Sequence, residues 1–212
     1  MRLRFGSHNA TLFPKPSQGG TSLNRLILLR HGVTEANRMH RYCGSTDLPL
    51  DPESLKAFRQ RRKALTYPNP DGLQILTSGM LRTEQTLLEI YGPVAHDAER
   101  DFREIDFGVF ENKTYEELKD DPAYQTWLIG DNEQNVCPGG ESGVQMATRV
   151  LAALDRLEKD TLLVTHGGVI ACIMNALFPD EKKSRYQWQP EPFCGYEVIW
   201  KQGTPTYRRI PK

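Results

Sequence analysis

The chain has 212 residues, 38% of them hydrophobic and 25% charged, with 27 basic side chains against 27 acidic ones. That length supports one full hydrophobic core, so one soluble domain is expected, and the even charge gives no footing to nucleic acid or an anionic membrane surface as partner. No run is long enough to span a bilayer, and the N-terminus lacks the apolar core of a secretory signal, so a cytoplasmic location is expected. Cys43, Cys137, Cys172 and Cys194 form no CxxC pair and read as reduced thiols.

Residues 1–23 are rich in Gly, Pro, Ser and Thr and lack periodicity, which predicts an N-terminal extension, partly disordered, with His8 an ordinary exposed histidine. The domain proper is expected over 24–212. RLILLRH at 25–31 is a short apolar run ending in polar residues, the pattern of a strand buried on both faces of a parallel sheet. A polar turn, a short helix and a loop follow to residue 50. Residues 52–66 read as an amphipathic helix, Leu55, Phe58, Arg62 and Leu65 recurring at helical spacing, with RQRRK at 59–63 as its solvated face. LQILTS at 73–78 predicts a second buried strand. A helix over 81–92 is stopped by Gly92-Pro93. Residues 104–130 are mixed, with helical pieces at 114–120 and 122–129.

PGGES at 138–142 reads as a turn and helix cap. It is a near miss to GxSxG, but its second glycine comes too early for a nucleophile elbow. The helix it opens carries Val144, Ala147, Val150, Leu151, Leu154 and Leu157 on one face. TLLVTH at 161–166 is the third strand, GGVIACIMNALF a buried helix, and YEVIWK and TYRRI closing strands. Strands alternating with helices predict an α/β fold: a three-layer α/β/α sandwich, its mostly parallel central sheet covered by helices on both faces.

The polar residues sit where such a sheet keeps its chemistry, beyond the carboxyl ends of the strands. The first strand delivers Arg30 and His31, the second ends at Ser78 with Arg82 one turn into the next helix, and the third delivers His166 and opens a helix at Gly167-Gly168. Two guanidinium groups and a helix N-terminus suit an oxyanion, most simply phosphate. An imidazole among them could attack phosphorus and carry the phosphoryl group covalently. A carboxylic acid must then protonate the leaving alkoxide. Glu104 is the best candidate, and Asp106, on the same face of an extended segment, is its competitor.

In order along the chain, RHGVTEAN at 30–37, RYCGSTDLPL at 41–50, TSGMLRTEQT at 77–86, REIDFGVFENKTYEEL at 103–118, PGGES at 138–142 and VTHGG at 164–168 resemble the histidine phosphatase superfamily, the phosphoglycerate mutase-like proteins. The resemblance covers roughly residues 24–200. It implies that His31 is the phosphorylated nucleophile, that Arg30, Arg82, His166 and Gly167 complete a phosphate pocket, and that Glu104 is the proton donor. Asn37 and Arg41 match positions lining the pocket or its mouth. It implies no metal and no cofactor, a small-molecule phosphate ester as partner, and it admits a homodimer. Val33, Thr83 and Asn112 depart from the common pattern without removing a catalytic group.

Residues 107–136 are expected to form a lid. Phe107, Phe110, Tyr115, Tyr124 and Trp127 are read mainly as its core, with contact to a leaving group as the alternative. A lid shorter than in phosphoglycerate mutases favours a phosphatase over a mutase, metal-independent as the resemblance implies, and the pattern looks most like members known as α-ribazole phosphatases or generic phosphatases. The alternatives are a phosphoglycerate mutase-type transferase and a non-catalytic phosphate-ester binder. A metal-centred hydrolase is disfavoured by the arginines flanking both histidines.

Overall fold

The computed structural model describes residues 23–131 and 133–212. The expectations for the N-terminal extension and His8 fall on residues 1–22, outside the described residues. Leu23 already packs against the core.

The first strand, β1 (Arg25–Arg30), shows why a continuous apolar run belongs in the middle of a sheet. Alternate side chains point to opposite faces. Leu26 and Leu28 accordingly enter one core cluster, and Ile27 and Leu29 the other. A short helix α1 (Glu35–Arg38) and α2 (Pro52–Arg62) follow, then β2 (Gln74–Thr77), α3 (Leu81–Tyr91) and a two-residue strand β3 (Asp97–Ala98). The next stretch holds 3-10 turns at Arg100–Phe102 and Gly108–Phe110, then α4 (Tyr115–Leu118) and α5 (Pro122–Leu128). The chain closes with α6 (Gly143–Asp155), β4 (Thr161–Thr165), α7 (Gly167–Leu177), α8 (Arg185–Trp188), β5 (Gly195–Lys201) and β6 (Thr204–Ile210).

The strands form one six-stranded sheet in the order β3-β2-β4-β1-β5-β6. The pairs β3–β2, β2–β4 and β4–β1 are parallel, and β1–β5 and β5–β6 antiparallel. The carboxyl ends of β1, β2 and β4 therefore open on one edge. In register, Leu29 lies opposite Val164 and Val164 opposite Thr77, which sets His31, Ser78 and His166 side by side just beyond that edge.

One expected helix is shorter than foreseen, and two short elements were not foreseen. The helix expected over 52–66 ends at Arg62. There the Arg62 guanidinium donates to the carbonyls of Leu65 and Ile90, and Thr66 exchanges backbone hydrogen bonds with Lys212. Those tertiary partners replace the continuing helix. The edge strand β3 and the one-turn α8 carry no periodic signal of their own.

The segment expected as a lid has its own small core. Phe110, Leu118, Tyr124, Trp127 and Cys137 are buried together, with Tyr42, Phe107, Tyr115 and Leu128 packed around them. The aromatic rings meet edge-on or tilted, and the Tyr42 and Tyr124 hydroxyls lie 2.6 Å apart. Phe107, Phe110, Tyr115, Tyr124 and Trp127 thus belong to the core of this segment, as read from the sequence. Ser142 caps α6 by accepting from the Gln145 N–H, so PGGES is a turn and cap. All four cysteines are free.

Candidate active site

His31 follows β1 directly, and its backbone N–H donates to the Thr165 carbonyl at the end of β4. Its Nδ1 lies 2.6 Å from the Gly32 carbonyl, which can only accept, so Nδ1 carries the proton. The Nε2 lone pair is thereby left as the reactive one. Gly32 packs against the Phe193 ring so closely that a Cβ there would lie 2.2 Å from it. The Gly32 N–H donates to Thr86 Oγ1 on α3, which in turn donates to the Arg82 carbonyl.

Arg82, second residue of α3, is 1% exposed, although arginine is ordinarily a surface residue. Its Nη1 donates to the Thr46 carbonyl at 2.9 Å, Nη2 to the Gly44 carbonyl at 2.8 Å, and Nε to His166 Nδ1 at 3.3 Å. Two of its five N–H groups remain for a ligand. Because Arg82 can only donate, His166 Nδ1 accepts and its Nε2–H donates to Ser78 Oγ at 2.8 Å. Ser78 and Thr83 hydroxyls lie 3.1 Å apart, and Thr83 donates to the Met80 carbonyl. Thr83, which departs from the common family residue, thus completes a hydroxyl chain behind His166.

The His31 and His166 rings meet edge-on with centroids 5.2 Å apart. Arg30 lies across Gly167, where a Cβ would come within 3.2 Å of its Nε. The Arg30 Nη1 donates to the Pro190 carbonyl, while Nε is buried without a hydrogen-bond partner. A buried, unmatched guanidinium donor beside a second buried arginine is costly, and an anion is what offsets that cost. The N-terminus of α7 adds partial positive charge to the same spot, since His166 gives it no side-chain cap.

This field acts on both histidines. Burial, then the charges of Arg82 and Arg30, holds the His31 imidazole well below its ordinary range. Burial and Arg82 do the same to His166. Both are neutral near pH 7, as a nucleophilic imidazole must be. Burial also pulls Arg30 and Arg82 down from their usual value.

The structure separates the two candidate donors. Glu104 Oε2 accepts the Gly168 N–H at 2.9 Å, two residues from His166, and Oε1 accepts from Ile105. Asp106 instead accepts from Ser45 Oγ and the Gly108 N–H at the base of the lid. Glu104 therefore stands with the basic cluster and Asp106 does not.

Asn37 and Arg41 are placed differently from the other six. The Asn37 Oδ1 closes the capping box of α1 with Thr34. Arg41 bridges in backbone to Thr114 and its charge acts on Glu117, while its Nε is buried without a hydrogen-bond partner. Among the described residues, no hydrogen bond joins either to His31, Arg82 or His166. Sequence reading did not single out two further residues that adjoin the cluster. Glu111 accepts from the backbone of Gly44, Ser45, Thr46 and Phe107 and from the Thr46 hydroxyl. It thus fixes the loop whose carbonyls hold Arg82. Arg185 of α8 reaches Gly168 beside Glu104 and is paired with Glu133.

Comparison with known proteins places this geometry. The model of the histidine phosphatase superfamily (branch 1) matches residues 26–211. The “Probable phosphoglycerate mutase GpmB” of Enterobacter sp. (strain 638) is 31% identical over 162 residues, covering 72% of this chain and 74% of that protein. The crystal structure of a phosphoglycerate mutase from Thermus thermophilus superposes with a TM-score of 0.66 at 31% identity, covering 88% of this chain and 98% of that one. The alpha-ribazole phosphatase from Shigella flexneri has a TM-score of 0.74 at 22% identity over 89% of this chain and 96% of that one, a likeness of fold. With its strand-end histidines and arginines within the matched span, the chain belongs to branch 1 of the histidine phosphatase superfamily.

Proposed function

We propose that the protein is a metal-independent phosphatase acting on a small-molecule phosphomonoester through phosphorylated His31, in the cytoplasm. One observation carries this reading. A neutral imidazole with its Nε2 lone pair free stands among Arg30, Arg82, His166 and the N-terminus of α7, with a carboxyl group at Gly168. His31 Nε2 attacks phosphorus, the N–P bond forms, and the ester P–O bond breaks. Glu104 gives its proton to the departing alkoxide. Water then attacks the phosphohistidine, Glu104 takes the water's proton, and the N–P bond breaks to release phosphate. Catalysis is mainly positioning and charge stabilisation.

The mutase names among the relatives support a second reading, phosphoryl transfer between hydroxyls of a sugar acid. Such a substrate brings a carboxylate and a further phosphate. Arg185, the cation beside the donor, is already paired with Glu133, which favours a less charged leaving group. The test is phosphate release from an aryl phosphomonoester and a panel of small-molecule esters, chelator present, by wild type and His31→Ala. Release by wild type alone is expected. Equal release by both removes His31 from the chemistry, and phosphate retained on a second hydroxyl makes the protein a mutase.

A further inference from the structure

Residues 101–104 lead into Glu104 without belonging to a strand or an α-helix, so their carbonyls need partners from elsewhere. Thr165 Oγ1 donates to the Phe102 carbonyl at 2.7 Å. Arg149, from the middle of α6, takes the other three: Nη1 donates to Asp101 O at 2.7 Å and Arg103 O at 2.8 Å, and Nη2 to Glu104 O at 3.0 Å. Its remaining donors meet Glu141 of PGGES, Nε on Oε2 at 3.1 Å and Nη2 on Oε1. All five N–H groups of the guanidinium are thus engaged. Glu141 Oε1 also accepts the Asp106 N–H at 3.1 Å, so the pair grips the donor segment on both sides of Glu104.

We infer that Arg149, oriented by Glu141, is a positioning residue for proton donation: its planar fork fixes the backbone from which Glu104 reaches Gly168. The inference rests on the phosphatase reading above. It gives PGGES a role beyond its turn and cap, because Glu141 presets the fork that only arginine supplies. Lysine offers three donors from one point and cannot span three carbonyls and a carboxylate. A hydrogen bond at Gly168 that is a fraction of an ångström out of place costs proton transfer, while the hydrogen bonds of Arg149 include none to Arg30, Arg82 or His166.

The leaving group distinguishes this role from a general structural one. A nitrophenolate departs without a proton; an alkoxide does not. The experiment compares kcat/KM of wild type, Arg149→Lys and Glu141→Gln on 4-nitrophenyl phosphate and on 2-phenylethyl phosphate. Lysine keeps the positive charge that Arg149 exerts on His166, so the field on the phosphate pocket is retained. Both variants are expected to lose on the order of 100-fold on the alkyl ester and less than about threefold on the nitrophenyl ester. Far-UV circular dichroism and melting temperature confirm folding, and Glu141→Gln serves if Arg149→Lys does not fold. Equal losses on both esters, or none on either, overturn the inference. Wild type that hydrolyses neither ester overturns the phosphatase reading and the inference with it.

Discussion

Glu111→Gln tests whether the lid and the phosphate pocket are mechanically joined. In the native protein the Glu111 carboxylate accepts from three consecutive backbone N–H groups, one hydroxyl and the Phe107 N–H. A glutamine keeps one oxygen, which can stay with Gly44, Ser45 and Phe107. Its amide nitrogen then faces the Thr46 N–H, donor against donor. One charge-assisted hydrogen bond is lost and the others weaken, which costs about 2 kcal/mol. For a domain of this size that lowers the melting temperature by about 4–8 °C. The second consequence is catalytic. The carbonyls of Gly44 and Thr46 aim Arg82, so a loosened loop misplaces its guanidinium and lowers kcat/KM on the order of 10-fold to 100-fold. Differential scanning fluorimetry and steady-state kinetics read the two effects. The double variant with Arg82→Lys should lose little more activity than Arg82→Lys alone, because both act through one guanidinium. A destabilised Glu111→Gln with wild-type kcat/KM would refute the transmission, and an unchanged melting temperature would refute the hydrogen-bond reasoning itself.

Stability should depend on pH through His31 and His166. Both are held neutral in the fold and regain an ordinary pKa, about 6.5, when unfolded. The unfolded chain therefore binds more protons below that pH, so stability is full above it and declines as pH falls, by up to about 1.4 kcal/mol per pH unit for each histidine. Urea unfolding at several values between pH 7.5 and pH 5 checks this, and a flat profile in His31→Gln and wild type alike contradicts it. Gly168→Ala places a Cβ 2.3 Å from the Glu104 carboxylate, so kcat/KM on an alkyl phosphate should fall on the order of 100-fold with the fold retained; wild-type rates would remove Glu104 from that position. Inorganic phosphate at about 100 times its Kd should stabilise wild type by about 2.7 kcal/mol, and Arg30→Met should weaken that binding strongly. An identical rise in melting temperature for both proteins would mean Arg30 does not touch the anion.

The sheet was legible because its inner strands are unambiguous. Four consecutive fully buried residues in β1 and five in β4 can only belong to strands covered on both faces. Their polar terminations marked the site, since a parallel sheet places them on one edge. The choice between Glu104 and Asp106 was not legible. Their spacing is the same as that of any two residues on one face, and only the contact with Gly168, 64 residues away, separates them. Glu111 and Arg149 stayed hidden for the same reason. Each serves backbone groups distant in sequence, and a solitary charged residue gives no periodic signal of such a task.

The way Glu111 ties the lid down bears on how this scaffold can change its substrate. Specificity and chemistry are commonly at odds, because a loop that recognises the leaving group also jostles the reacting groups. Here residues 107–136 carry their own aromatic core and hold the Arg82 loop through the Glu111 carboxylate, the Asn112 side chain on Thr46 and backbone bonds between Tyr42 and residues 112–113. Side chains of that segment that join neither its core nor these contacts can therefore be exchanged for ones that suit another ester while Arg82 stays aimed. Glu111 is the position to hold fixed when residues 107–136 are grafted or randomised in search of new ester specificities.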